Sequence, residues 1–281
     1  MSEAYGSTVA KWRLSRRLKA LRDEAGLTAN QVCDRLNWGR GKVGRFEANN
    51  WVRPELSDIR DLARVYGQAG GDLAELERLA ALARRRAWWR DHPDVFPNEF
   101  PGFEADASAI RVLTPLVVPG LLQTPAYTRA LFASGSKGAE WRERALKARL
   151  RRQRVLDRDD GTAPELLALV TEASLLYRWG ERSDRREQIA HLAAMGRRPN
   201  VEIRLLRFAD GLHPGMSTLV NLFRFDDDPS MAFLENDVAI QDSIDPEIVE
   251  AYEQNLERVR KAALDPAGTT EHLDRLTHTL D

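Results

Sequence analysis

The feature that most restricts this chain is the crowding of helix-forming segments at its start, separated by gaps too short for anything but tight turns. Val9, Trp12, Leu14, Leu18 and Leu21 recur at helical spacing, with Thr8 as the expected N-cap and Gly26 as a stop signal. Thr28 is followed three residues later by Gln31, which is the pattern of a capping box, and Val32, Cys33 and Leu36 then mark a second, short helix. That helix is expected to end at Asn37, because asparagine tolerates the left-handed backbone of a tight turn. Residues 39–47 read as a third helix, with Val43 and Phe46 inward and Arg40, Lys42 and Arg45 outward. Arg53 and Pro54 form a loop, Leu56, Ile59, Leu62, Ala63 and Tyr66 a fourth helix, and residues 73–86 a fifth. The expected N-terminal fold over 1–86 is therefore a mainly α, five-helix helix-turn-helix domain.

Charge is divided along the chain. Residues 1–90 hold 18 Lys and Arg against 11 Asp and Glu, and the remainder holds 24 against 32, so a net charge of −1 conceals halves of opposite sign. A basic surface attracts a polyanion through a salt-dependent, sequence-independent term, which makes the N-terminal part the candidate binder of double-stranded DNA. Solvated arginine faces on ordinary helices are the alternative. Within the third segment Arg40 and Arg45 are placed to read base edges, and Lys42 and Arg53 to anchor phosphates, with Thr28, Gln31 and Gly41 on the same approach. Gly39 is expected at the N-cap, which leaves Gly41 and Gly44 to weaken the helix by about 2 kcal/mol in total. Three explanations of those glycines stand: close approach to DNA, a helix that orders only on binding, or simple packing against the second helix.

The stretch LRDEAGLTANQVCDRLNWGRGKVGRFEANN resembles the lambda-repressor-like, xenobiotic-response-element family of helix-turn-helix regulators. The resemblance implies a structural ion pair between Arg22 and Glu47. It departs from the family at Ala29, where a glutamine that contacts DNA usually stands, and at Asn37, where the turn glycine usually stands.

Beyond Arg86 the stretch from residue 87 to 115 carries Trp88, Trp89, Phe96, Phe100 and Phe103 among prolines and reads as a connector, too aromatic to be a free linker. Thr124 caps a helix that starts at Pro125, and residues 140–158 read as a long arginine-rich helix whose face suits solvent, a partner or a second nucleic-acid contact. LLALVTEASL, VEIRLLRF, STLVNLFRF and MAFLE read as strands, joined by a helix over 184–195 and closed by helices over 246–263 and 270–278. Residues 116–281 are thus expected to form an α+β domain with a small mixed sheet. VPGLLQTPAYTRALF, RRQRVL, EASL, REQIAHL and RPNVEIRLLRFADGLHPG are similar to the large C-terminal domain of actinobacterial regulators of the WhiJ-like, antitoxin-like kind. The resemblance implies that the C-terminal domain takes up a short protein encoded nearby and thereby modulates DNA binding. Together with the helix-turn-helix pattern and the charge split, the expectation is a DNA-binding regulator working as a homodimer on a two-fold symmetric site, whose C-terminal domain senses a protein partner or a small ligand. An antitoxin-like module that mainly sequesters a short partner protein is the rival reading.

Chemistry is sparse in this half. Glu172, His213 and Glu235 are the polar residues expected at strand ends, with Arg152 as a partner for the glutamates, and these four are the candidates for partner or ligand contact. His213, Pro214 and Gly215 have the composition of a turn. The sequence shows no metal-ligand spacing, phosphate-binding loop, nucleophile elbow or dinucleotide fingerprint, so no enzyme, metal or cofactor is expected. Cys33 is alone, which removes an internal disulfide, and no apolar run is long enough for a membrane span or secretion signal, so a cytoplasmic protein is expected.

Overall fold

The computed structural model describes residues 7–51, 53–159, 161–216, 219–235 and 240–280. The chain divides into two compact units, Met1–Asp106 and Ala107–Asp281.

The first unit is helical: α1 (Ser7–Glu24), α2 (Ala29–Leu36), α3 (Lys42–Glu47), α4 (Leu56–Val65), α5 (Gly70–Ala83) and α6 (Phe100–Asp106). Leu14, Leu18 and Leu21 of α1, Ile59 and Leu62 of α4, and Leu76 and Leu79 of α5 are fully buried and make its core. Thr8 is not a cap: it lies inside α1, and its hydroxyl donates to Glu99 Oε2 at 2.7 Å. Glu99 also accepts from Trp89 Nε1 at 3.1 Å and Arg90 Nε at 3.0 Å, and Asp106 accepts from the Val9 N–H at 3.1 Å. The aromatic stretch expected as a connector is therefore shared out. Its residues 88–106 fold onto the start of α1, with Trp12 and Phe103 meeting edge to face at 6.1 Å, and its last residues enter a strand of the second unit. Burial of the Trp89 and Phe103 rings, with partial cover of Trp88, Phe96 and Phe100, removes apolar surface that a free linker would expose.

The second unit follows as β1 (Ala109–Thr114), α7 (Pro125–Ala133), α8 (Ala139–Gln153), β2 (Glu165–Thr171), α9 (Glu172–Leu176), α10 (Arg182–Met195), β3 (Val201–Leu206), β4 (Leu219–Arg224), β5 (Met231–Glu235), β6 (Ile240–Ser243), α11 (Pro246–Ala262) and α12 (Pro266–Thr279). The strands form one mixed sheet in the order β3-β2-β1-β4-β5-β6. β1, β2 and β3 are parallel, with Leu113 opposite Leu169 and Leu166 opposite Val201, and β4, β5 and β6 add antiparallel. Leu113, Leu169, Val220, Leu222 and Ala232 line one face and pack against Val249, Leu256 and Val259 of α11. Ile110, Val112, Leu166, Ala168 and Val170 point the other way and are buried too, as a parallel sheet with helices on both faces requires. No described helix is long and apolar enough to cross a membrane.

Candidate functional site

The helix-turn-helix is built from local chemistry. Thr28 Oγ1 accepts the Gln31 N–H at 3.2 Å while Gln31 Oε1 accepts the Thr28 N–H at 2.9 Å, so α2 starts on a closed capping box. Asn37 ends α2 in the left-handed region, φ 56° and ψ 37°, and the Trp38 N–H closes the turn on Cys33 O at 2.8 Å. Both features follow the sequence reading.

The third helix does not. It runs only from Lys42 to Glu47, and its N-cap is Gly41, not Gly39. Gly41 has φ 84°, a conformation that costs an L-residue about 1–2 kcal/mol, so glycine here serves the backbone of the entry turn. Gly44 alone is a helix-interior glycine, which halves the penalty inferred from sequence to about 1 kcal/mol. A Cβ at Gly44 would meet nothing within 4 Å, so packing against α2 does not explain it.

Arg40, Arg45 and Arg53 are exposed, and none pairs with another described residue. The Arg45 guanidinium lies beside Gly41, with Nη1 3.8 Å from where a Cβ would stand, and Arg40 is the exposed residue that precedes Gly41 in the chain. Lys42 is placed otherwise than the sequence suggested. Its Nζ pairs with Asp58 Oδ1 of α4 at 2.7 Å and sits 3.9 Å from the Trp38 ring centroid, so it braces α3 instead of reaching outward.

Two further devices hold the reading segment. Arg22 grips Glu47 through two parallel bonds, Nε to Oε1 at 2.6 Å and Nη2 to Oε2 at 2.9 Å, and its Nη1 donates to Leu27 O at 2.7 Å. Both side chains are nearly buried, and the bond to Glu47 holds the Arg22 guanidinium above its ordinary pKa. Beside it, Trp38, Phe46 and Trp51 stack in series at 6.3 and 5.7 Å, and Trp51 Nε1 donates to Ser15 Oγ and Phe46 O at 3.1 Å each. Sequence reading missed this ladder. The unassigned Trp38 and Trp51 flanking an otherwise short helix were its signal.

In the second unit the four candidates do not form one cluster. Glu172 Oε2 accepts the Phe208 N–H at 2.7 Å and Oε1 pairs with His272 Nε2 at 2.9 Å, so the expected arginine partner is replaced by a histidine of α12 and a backbone amide. Arg152 lies over Gly120 beside Arg149. His213 Nδ1 meets Pro214 O at 3.0 Å within the turn read from sequence, and the side chain of Glu235, the last residue of β5, lies outside the described residues. The PGLLQT motif is a structural knot. Gln123 Nε2 donates to Val118 O at 2.7 Å, Gln153 Nε2 to Gly120 O at 2.9 Å, Gln188 Nε2 to Leu122 O at 2.8 Å, and Thr124 caps α7. Its buried polar atoms are thereby satisfied from α8 and α10. Among the described residues no group of three or more His, Cys, Asp or Glu is placed to hold a metal ion.

Residues 13–76 match a helix-turn-helix domain, the kind found in DNA-binding transcription regulators. Residues 98–275 match a domain of unknown function (DUF5753). No curated protein and no solved structure matches the chain. The chain belongs to the DUF5753 family.

Proposed function

We propose that this DUF5753 family member is a sequence-specific transcription regulator that places α3 and its entry turn in the major groove of double-stranded DNA. The observation that carries the proposal is the joint exposure of Arg40 and Arg45 at the entry of a helix anchored on three sides. Arg22 holds its end, Asp58 its start and the Trp38–Phe46–Trp51 ladder its inner face. Arginine reads guanine through two parallel hydrogen bonds, and Arg53 adds a phosphate contact on the same unit. The surplus of seven basic residues in the first 90 supplies the electrostatic attraction.

A helix-turn-helix unit covers one half-site, so the protein acts as a homodimer on a two-fold symmetric operator. The acidic second unit modulates that binding by taking up a short protein partner or a ligand, and the protein acts by binding, without catalysis. The test is a gel shift on DNA from upstream of the protein's own gene. A shift that fades as salt rises supports the reading; no shift at low salt, with or without any short protein encoded beside it, contradicts it.

A further inference from the structure

In the second unit the carboxyl ends of the three parallel strands open into a cavity of about 400 Å³. Thr171 closes β2, Leu206 closes β3, and Pro115 follows β1 at this place. This is where open α/β sheets take ligands, and the volume falls in the range of small-molecule pockets, roughly 300–1,000 Å³.

The cavity has a recessed floor and a raised apolar rim. Leu206 is 2% exposed and Thr171 7%, whereas Phe208 is 66%, Leu212 91%, Leu116 56% and Met216 50% exposed. The rim is a built structure. The Phe208 N–H is bound by Glu172, the Arg207 N–H by Asp210 Oδ2 at 2.9 Å, and Gly215 sits at φ 86° so close to the Leu113 side chain that a Cβ would overlap it. Large apolar side chains held in water around a concavity are the usual sign of an interaction site.

Charge and hydrogen bonding narrow the ligand. Arg207 is the lining cation, and Asp210 already occupies it, Nε to Oδ1 at 3.1 Å, so no uncompensated charge awaits an anion. Thr171 Oγ1 spends its proton on Pro115 O and keeps only acceptor capacity. His213 Nδ1 faces a carbonyl oxygen, which can only accept, so this nitrogen carries a proton, and in that tautomer Nε2 is an acceptor. The walls therefore offer apolar surface, acceptors at Thr171 and His213, and at Arg207 a charge compensated by Asp210 whose Nη1 still has N–H groups to donate, a pattern that suits a hydroxyl, which both donates and accepts.

We infer that this cavity binds a small, neutral, mainly apolar molecule that carries a hydroxyl or similar hydrogen-bond donor. The site is independent of the DNA-binding reading and is tested without DNA.

The probe is Nile red, followed by fluorescence on the full chain and displaced with 1-decanol or with its methyl ether, which lacks the donor. The wild type is expected to take up one dye per chain and to release it to the alcohol in preference to the ether. Ala173→Trp, which fills the cavity, is expected to abolish uptake. Should that variant fold poorly, Phe208→Ala removes an exposed wall at little cost to folding and weakens dye binding by about tenfold. Uptake that never saturates, uptake unchanged in a folded Ala173→Trp or in Phe208→Ala, or equal release by alcohol and ether overturns the assignment. Dye uptake that rises on dilution as an oligomer dissociates also overturns it, because a second copy would then cover the groove.

Discussion

Replacing Gly41 and Gly44 separately by alanine should move stability in opposite directions, although both look like helix glycines in the sequence. At Gly44 the backbone is helical and the space for a Cβ is open, so alanine should stabilise by about 1 kcal/mol through helix propensity. At Gly41 the added Cβ meets only Arg45 Nη1 at 3.8 Å, which is an ordinary contact, so packing is neutral and the left-handed φ of 84° decides the outcome. Alanine there should destabilise by about 1–2 kcal/mol. For a unit of about a hundred residues, 1 kcal/mol corresponds to roughly 4–8 °C, so the two variants should melt on either side of the wild type with a clear gap. Thermal unfolding followed by circular dichroism reads both. Operator affinity should fall for Gly41→Ala, because that dihedral aims Arg40, and should hold for Gly44→Ala. Shifts of the same sign in the two variants would refute the assignment of Gly41 to the turn and Gly44 to the helix.

Arg22→Met should destabilise the first unit by about 2–4 kcal/mol, since it strands a nearly buried carboxylate. Adding Glu47→Leu should recover much of the loss in chemical denaturation, and strict additivity would show the pair to be uncoupled. Burial alone would raise the Glu99 pKa, but bonds from Arg90, Thr8 and Trp89 outweigh it and hold the carboxyl below its ordinary value of 4.5. A depressed folded-state pKa stabilises above the unfolded value and is lost as pH falls through the folded one. The melting-temperature advantage of wild type over Glu99→Gln should therefore be full near pH 6 and shrink below about pH 4.5; an advantage that grows in acid would contradict this. A fragment ending at residue 86 should melt well below one ending at 106, because it loses the Thr8–Glu99 and Val9–Asp106 bonds and the Phe103 ring. Equal melting would show the aromatic stretch to be a mere connector.

What was legible in the sequence was what short-range chemistry decides. Thr28 and Gln31 are three residues apart, and Asn37 needs only its own backbone preference, so the start of α2 and the turn after it could be read directly. The start of α3 could not, because the glycine pattern fits a helix from 39 or a left-handed cap at Gly41 equally well, and tertiary anchoring by Asp58 and Trp38 selects the second. β1 was hidden in a proline-rich context although it is a central strand, and β6, Ile240–Ser243, is a short edge strand with little apolar alternation. Side-chain partners at long range were the least legible. Lys42 meets Asp58 across 16 residues and Glu172 meets His272 across 100, and nothing local to either glutamate or lysine encodes that choice. The cavity rim was visible only as a turn at His213, because its concavity arises from three strand ends that converge in the fold.

The most direct test of the account is the affinity of full-length Arg40→Glu/Arg45→Glu for an operator recovered from genomic DNA with the wild-type protein, measured across a salt series. Both side chains are exposed and meet no partner among the described residues, so the variant should melt like the wild type and lose operator binding by at least about a hundredfold at low salt. Unchanged operator affinity in a folded double variant would contradict the central claim that these two arginines, at the entry of α3, make the contact with DNA.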